Sequence, residues 1–315
     1  MAKKIAFLFP GQGSQSVGMG KDLYENYESA KTVFDTADSV LNKSISTICF
    51  EGPEEDLKQT VNTQPAIVTM SIAAMKALTS QIDIKPDYVA GHSLGEYCAM
   101  YTAGVMSLEH TLKSIQKRAD LMGATKGGSM AAVLNASEEQ LKAGLAEGSK
   151  VGYVDVANYN SPAQVVITGD ENAVKAAGDY MLANGVRRVV PLAVSGAFHS
   201  KFMENAGHEF ASFISNVELN DASTPVITNV DAEPTVNSSD FREKMPKQIY
   251  SSVHWTQTIE KMVSDGVEIF IEIGPGKVLA GLNKKIAPDA VVYNVYDKAS
   301  LDATVSALSE MMAGV

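Results

Sequence analysis

Cysteine is scarce: Cys49 and Cys98 are the only two in 315 residues. Two cysteines in apolar surroundings make neither a disulfide framework nor a metal cluster, and they suit a reducing cytosol. Basic residues are also in short supply. Lys and Arg number 26 against 37 Asp and Glu, a net charge of −11 with no basic tail. That excludes nucleic acid as the natural partner, because such binding rests on phosphate neutralisation. No apolar run reaches membrane-spanning length. The short run Ile5–Phe9 after Lys3-Lys4 stops at Pro10, too soon for a signal peptide. The expectation is a cytoplasmic protein that does not enter a membrane. What is present is ordinary globular chemistry: 45% hydrophobic and 20% charged residues exclude disorder, a coiled coil and a fibre. The length allows about two domains of roughly 150 residues.

Apolar strands alternate with helical patterns along most of the chain. Ile5–Phe9, Tyr88–Ala90, Pro225–Asn229 and Val267–Ile273 read as buried strands. Asp22–Asp35, Glu54–Leu57, Pro65–Gln81, Glu96–Ala103, Ser107–Gly123, Lys201–Ser215 and Thr256–Ser264 read as helices. Such alternation predicts an α/β fold with a parallel sheet. The middle of the chain differs. Met130–Leu134, Ser137–Glu147, Val151–Ala157, Gln164–Thr168, Glu171–Ala183 and Val186–Val194 follow the order β-α-β-β-α-β. That is the ferredoxin-like split unit. Ser137 and Gln140 form a capping box for its first helix, and Asn158–Pro162 reads as the turn between its middle strands. The unit is placed at 127–198, inserted into a core made of 1–126 and 199–315.

Gly91-His92-Ser93-Leu94-Gly95 matches the nucleophile-elbow pattern G-x-S-x-G. A strand precedes it and a helix follows. A serine on that turn projects its hydroxyl from the sheet edge, and the helix N-terminus favours developing negative charge. The plain alternative is a βα turn with a capping serine; the context favours the nucleophile. A serine nucleophile needs a base. Of five histidines, His92 is the neighbour of Ser93 and should point away from its hydroxyl. His110 and His208 read as surface residues, and His254 as a cap or packing residue before Trp255. His199 lies on the small-residue loop Ser195–Ser200, which joins the insertion back to the core. A cleft would form there, so His199 ranks first.

The glycine loops Gly11-Gln12-Gly13 and Gly274-Pro275-Gly276-Lys277 match neither nucleotide fingerprint. A Gly-Gln-Gly turn can instead aim an amide at an oxyanion, Gln12 together with Leu94. Arg118 shares a helical stripe with Thr111, Ile115 and Met122. A guanidinium on that face needs an anion. Two readings stand: an ion pair with an Asp or Glu of the chain, or a fork for a substrate carboxylate.

Seven segments occur in order: Gly11–Gln15, Asn62–Ala66, Gly91–Tyr97, Gln116–Arg118, Asn160–Pro162, Ala197–Ser200 and Glu272–Gly276. With them the chain resembles the malonyl-CoA:acyl carrier protein transacylases of bacterial-type fatty acid synthesis over nearly its whole length. The resemblance implies an α/β-hydrolase-like core with a ferredoxin-like insertion. It implies Ser93 as the acylated nucleophile and His199 as base and then acid. Gln12 and Leu94 would supply oxyanion amides, Arg118 would hold the malonyl carboxylate, and the main-chain carbonyl of Gln248 would orient the histidine. Asn160, Phe198, Met122 and Gln12 would line the substrate site, with Ala197-Phe198 resembling members selective for malonyl over methylmalonyl groups. The implied partners are malonyl-CoA and a phosphopantetheinylated acyl carrier protein, with no metal or other cofactor. Arg188, Lys284 and Lys285 are the basic residues offered for docking an acidic carrier protein. A serine esterase or thioesterase, and a non-catalytic acyl-CoA-binding protein, are the rival readings.

Overall fold

A computed structural model describes residues 3–194 and 196–314. Ser195, the first residue of the loop that carries His199, lies outside the described residues, as do Met1, Ala2 and Val315. The strands are β1 (Lys4–Phe9), β2 (Tyr88–Gly91), β3 (Ser129–Leu134), β4 (Val154–Ser161), β5 (Gln164–Gly169), β6 (Arg188–Pro191), β7 (Val226–Ile227), β8 (Pro234–Thr235), β9 (Val267–Ile273) and β10 (Val291–Val295).

They form two sheets. The larger has the order β10-β9-β1-β2-β7-β8 and is parallel throughout except for β8. β1 sits at its centre, and Ala6–Phe9 are buried on both faces. A strand covered on both sides reads as a continuous apolar run, which is why Ile5–Phe9 is legible in the sequence. Phe7 and Phe9 face one apolar cluster, Ala6 and Leu8 the other. The carboxyl ends of β1, β2 and β9 open into the loops Gly11-Gln12, His92-Ser93 and Gly274–Gly276. Ligands of open α/β sheets bind at that edge.

The second sheet has the antiparallel order β4-β5-β3-β6, with helices Glu138–Gly148 and Glu171–Ala183 on one face. This is the ferredoxin-like arrangement. The capping box is present: Gln140 N–H donates to Ser137 Oγ at 3.1 Å and Ser137 N–H to Gln140 Oε1 at 2.9 Å, a cap that stabilises by about 0.5–2 kcal/mol. The two chain crossings between the sheets lie side by side, with Ala197 N–H donating to Gly127 C=O at 3.3 Å.

Several elements depart from their predicted bounds. The helix expected over 22–35 is two, Lys21–Asn26 and Glu28–Leu41, because Tyr27 is extended between them. The helix expected to open at Pro65 runs Thr60–Gln81 with the proline inside it. The carbonyl of Val61, which Pro65 cannot engage, accepts instead from Lys43 Nζ and Gln116 Nε2, each at 3.1 Å. Asn158–Ser161 belong to β4 rather than to a turn, since register shifts against β5 let the strand continue. Strand Val186–Val194 shrinks to β6, and Pro225–Asn229 to β7. Helices Ile45–Glu51, Ser238–Tyr250, Val278–Ile286 and Lys298–Ala313 and strand β10 had no counterpart in the pattern reading. No described helix is long and apolar enough to cross a membrane.

Candidate active site

Ser93 stands where β2 turns into helix Gly95–Thr102, with φ at 52°, in the left-handed region. The glycines around it are required by close approach. A Cβ on Gly91 would lie 1.9 Å from the Gly95 carbonyl carbon, and one on Gly95 2.2 Å from Phe9 O. The helix therefore packs directly on the strand it follows, and the turn has no room for another side chain. A Cβ on Gly11 would meet His92 O at 2.8 Å, so the Gly11-Gln12 loop lies against the elbow. Neither Gln12 N–H nor Leu94 N–H has a hydrogen-bond partner among the described residues. Two free amides at this edge are the donors an oxyanion needs.

His199 also sits in the left-handed region, with φ at 54°, and is buried. Its Nδ1–H donates to two main-chain carbonyls, Gln248 at 3.0 Å and Ser251 at 3.1 Å. A carbonyl can only accept, so the proton is fixed on Nδ1. Nε2 is left as an acceptor for Ser93 Oγ–H at 2.8 Å. Among the described residues no carboxylate orients the imidazole. Burial, and then the Arg118 charge, hold the His199 pKa down to about 3, so the ring is neutral at neutral pH, with Nε2 free to accept a proton.

Arg118 is buried to 1% exposure on helix Leu108–Ala124. It has no acidic partner within ion-pair distance among the described residues. Nη1 donates to Gln64 Oε1 at 2.7 Å; Nη2 donates to Gln248 Oε1 at 2.9 Å and Ser93 Oγ at 3.0 Å. The guanidinium carbon lies 5.8 Å from the Tyr97 ring centre. The internal ion pair, one of the two sequence readings, is thereby ruled out. A desolvated cation held by neutral amides beside a nucleophile remains, with its Nε–H unpaired. Such a group is short of one anion. Burial pushes its pKa down, and Glu96 and Tyr97 oppose that.

The other candidates fall in different places. Gln248 contributes its side chain as well as its carbonyl: Nε2 donates to Ser93 C=O at 2.7 Å. Met122 is buried against Gln64, whose Nε2 lies 3.6 Å from its Sδ. Phe198 is buried beside His199, its carbonyl accepting from Thr168 Oγ1 at 3.0 Å. Asn160, on β4, pairs Oδ1 with His92 Nε2 at 2.8 Å and so ties the second sheet to the elbow. His254 stacks on Tyr159 with ring centres 5.2 Å apart, the packing role expected of it.

Arg188, Lys284 and Lys285 are all exposed. Arg188 opens the edge strand β6. The lysines end helix Val278–Ile286, which starts after the Gly274 loop and runs back towards the beginning of β10. A helix of nine residues carries its end about 13 Å from its start, so Lys284 and Lys285 stand that far along the chain's path from the Gly274 loop at the carboxyl edge.

Pattern reading missed four participants: Gln64, Glu96, Asn229 and Ser251. Gln64 had a signal, its place in Asn62–Ala66, one of the segments that carry the family resemblance. Asn229 had a weaker one, a polar residue at the end of an apolar strand. Ser251 acts through its backbone, and nothing in its side chain announces it.

A sequence profile of the acyl transferase domain matches residues 6–295. The malonyl CoA-acyl carrier protein transacylase of Bacillus subtilis (strain 168) is 42% identical over 311 residues, 98% of each chain. That of Haemophilus influenzae is 37% identical, over 96% of this chain and 98% of the relative. Among solved structures, an acyl carrier protein S-malonyltransferase from Vibrio cholerae superposes with a TM-score of 0.92 at 39% identity, covering 96% of this chain and 99% of the other. A malonyl-transacylase in complex with a type II PKS acyl-carrier protein superposes at 0.93 and 35% identity, with the same coverage.

Proposed function

The chain belongs to the acyl transferase domain family, and from that premise we propose that it moves a malonyl group from malonyl-CoA to the phosphopantetheine thiol of an acyl carrier protein, in fatty acid synthesis. The observation that carries the proposal is the contact of Arg118 Nη2 with Ser93 Oγ at 3.0 Å. In a malonyl thioester one methylene separates the carboxylate carbon from the thioester carbon, a span of roughly 2.5 Å from ordinary bond lengths and angles. A guanidinium this close to the nucleophile suits a carboxylate at that spacing. A longer diacid would place its acyl carbon beyond the serine.

Ser93 Oγ attacks the thioester carbon as its proton passes to His199 Nε2. The carbonyl oxygen becomes an oxyanion facing the amides of Gln12 and Leu94. Collapse breaks the C–S bond, the proton on Nε2 goes to the departing CoA sulfur, and malonyl remains as a serine ester. His199 then takes the proton of the carrier-protein thiol, and the thiolate attacks the ester. Collapse returns the proton to Ser93. One thioester replaces another, so no outside energy source enters.

Phe198 is assigned the exclusion of branched acyl groups, from its bulk beside His199. Asn160 acts through His92, and Met122 through Gln64. The cleft lies between the core, 1–126 and 199–315, and the insertion 127–198, which we read as a subdomain. Arg188, Lys284 and Lys285 are assigned to carrier-protein docking. The cytoplasm is the assigned compartment, consistent with the unpaired, buried Cys49 and Cys98. Incubation with malonyl-CoA tests the reading. A transferase gives a stable malonyl-enzyme and passes the group on only when carrier protein is added. An esterase or thioesterase releases free malonate without it.

A further inference from the structure

Asn229 lies two residues past the end of β7, at the carboxyl edge of the larger sheet. Its carboxamide does what a neighbouring strand would do. Oδ1 accepts from Ser93 N–H at 2.8 Å, and Nδ2 donates to Gly91 C=O at 2.8 Å. A parallel neighbour satisfies that same pair, the carbonyl of one residue and the amide two further on. β7 itself pairs with β2 only at Val89–Val226 and Ala90–Ile227. A side chain thus extends the ladder into the elbow after the backbone has left it.

Asn229 is completely buried, and its own backbone is held at both ends. Its N–H donates to Glu96 Oε2 at 2.6 Å, and its C=O accepts from His254 N–H at 3.0 Å. Glu96 is buried on the helix that follows Ser93, three residues on. Ser93, Asn229 and Glu96 therefore close a ring around the turn. Within that ring Ser93 is kept at a positive φ that a serine seldom adopts, and Leu94 N–H is left free.

We infer that Asn229, supported by Glu96, is a positioning residue: it holds the elbow so that Ser93 Oγ and Leu94 N–H address the acyl carbonyl together. The inference rests on the malonyl-transfer reading. Recognition of the substrate carboxylate lies with Arg118, so loss of the clamp should reduce the rate of acylation and leave binding nearly intact.

The test is rapid-quench measurement of malonyl-enzyme formation against malonyl-CoA concentration, for the unmodified chain, Asn229→Ala and Asn229→Asp, with thermal unfolding alongside. Asn229→Ala should lower the limiting acylation rate about 10²-fold, the effect of a small misplacement of reacting groups, with half-saturation changed less than threefold. Asn229→Asp guards against a variant that does not fold, since its shape is the same. Its side chain can accept from Ser93 N–H in either form but donates to Gly91 C=O only when protonated. Its acylation rate, divided by that of the unmodified chain, should rise as pH falls from 8 to 6. The groups around it, Glu96, Arg118, His199, Asp231, Lys244 and His254, are common to both proteins, so the ratio reads what the new carboxyl adds, its effect on those groups included. A folded Asn229→Ala acylating within threefold of the unmodified chain overturns the inference, as does a ratio independent of pH. Absence of any malonyl-enzyme in the unmodified chain overturns the transfer reading instead.

Discussion

Arg118 Nη2 and His199 Nε2 meet at one atom, Ser93 Oγ, at 3.0 and 2.8 Å. The hydroxyl donates to the imidazole and accepts from the guanidinium. In the proposed reaction the group that selects the substrate and the group that activates the nucleophile thus share one atom before any substrate arrives.

Removing the guanidinium should therefore affect selection first. Arg118→Ala should lower kcat/KM for malonyl-CoA by about 10- to 150-fold, the equivalent of the 1.5–3 kcal/mol of a charged hydrogen bond. It should also narrow the preference over acetyl-CoA. Arg118→Lys should recover only part, because an ammonium cannot form the fork. Competition kinetics with both thioesters measures this; unchanged relative rates would reduce Arg118 to a packing role.

The pH profile carries the same coupling. His199 acts as a base only when neutral, and burial and then Arg118 hold its pKa down to about 3. The acid limb of kcat/KM for the malonyl-CoA half-reaction, which reports the free enzyme, should lie near pH 3. The profile should therefore show no limb from His199 between pH 8 and 5. In Arg118→Ala the repelling charge is gone, the histidine pKa rises, and the acid limb moves to higher pH. Stopped-flow release of CoA across pH gives both curves. A limb near 6.5 in the unmodified chain would contradict the buried, neutral imidazole.

Gln64 offers a test without touching nucleophile or base. Gln64→Glu gives Arg118 a permanent internal carboxylate at the position of its 2.7 Å amide partner. The substrate carboxylate then competes with a tethered one. KM for malonyl-CoA should rise at least about tenfold, with a melting temperature at or above that of the unmodified chain. An unchanged KM would mean that the substrate does not use this guanidinium.

Carrier-protein docking is tested by charge reversal. Substituting Glu at Arg188, Lys284 and Lys285 should raise KM for carrier protein, more steeply at low salt, and leave the malonyl-CoA half-reaction alone. Single reversals separate Arg188 from the two lysines. Carrier-protein kinetics unchanged at low ionic strength would place the docking surface elsewhere.

How far the sequence spoke depends on which atoms do the work. Ser93, His199 and Arg118 carry side chains of distinctive chemistry, and motif context or a helical stripe brings them forward as candidates. β1 and β9 were legible because strands buried on both faces read as apolar runs. Asn158–Ser161 misled because turn-forming residues were retained in a strand through register shifts. Pro65 misled because Lys43 and Gln116 take up the carbonyl it frees. Gln248 and Ser251 orient the histidine through main-chain carbonyls, which any residue possesses. Asn229 is 136 positions from the serine whose amide it holds, and only tertiary structure brings them together.

The most direct measurement of the central claim is the intact mass of the chain after incubation with malonyl-CoA alone, followed by peptide mapping. The account predicts one malonyl group per chain, on the peptide containing Ser93, absent from Ser93→Ala and discharged on addition of a phosphopantetheinylated carrier protein. A malonyl group on another residue, or steady release of free malonate with no carrier protein present, would contradict it.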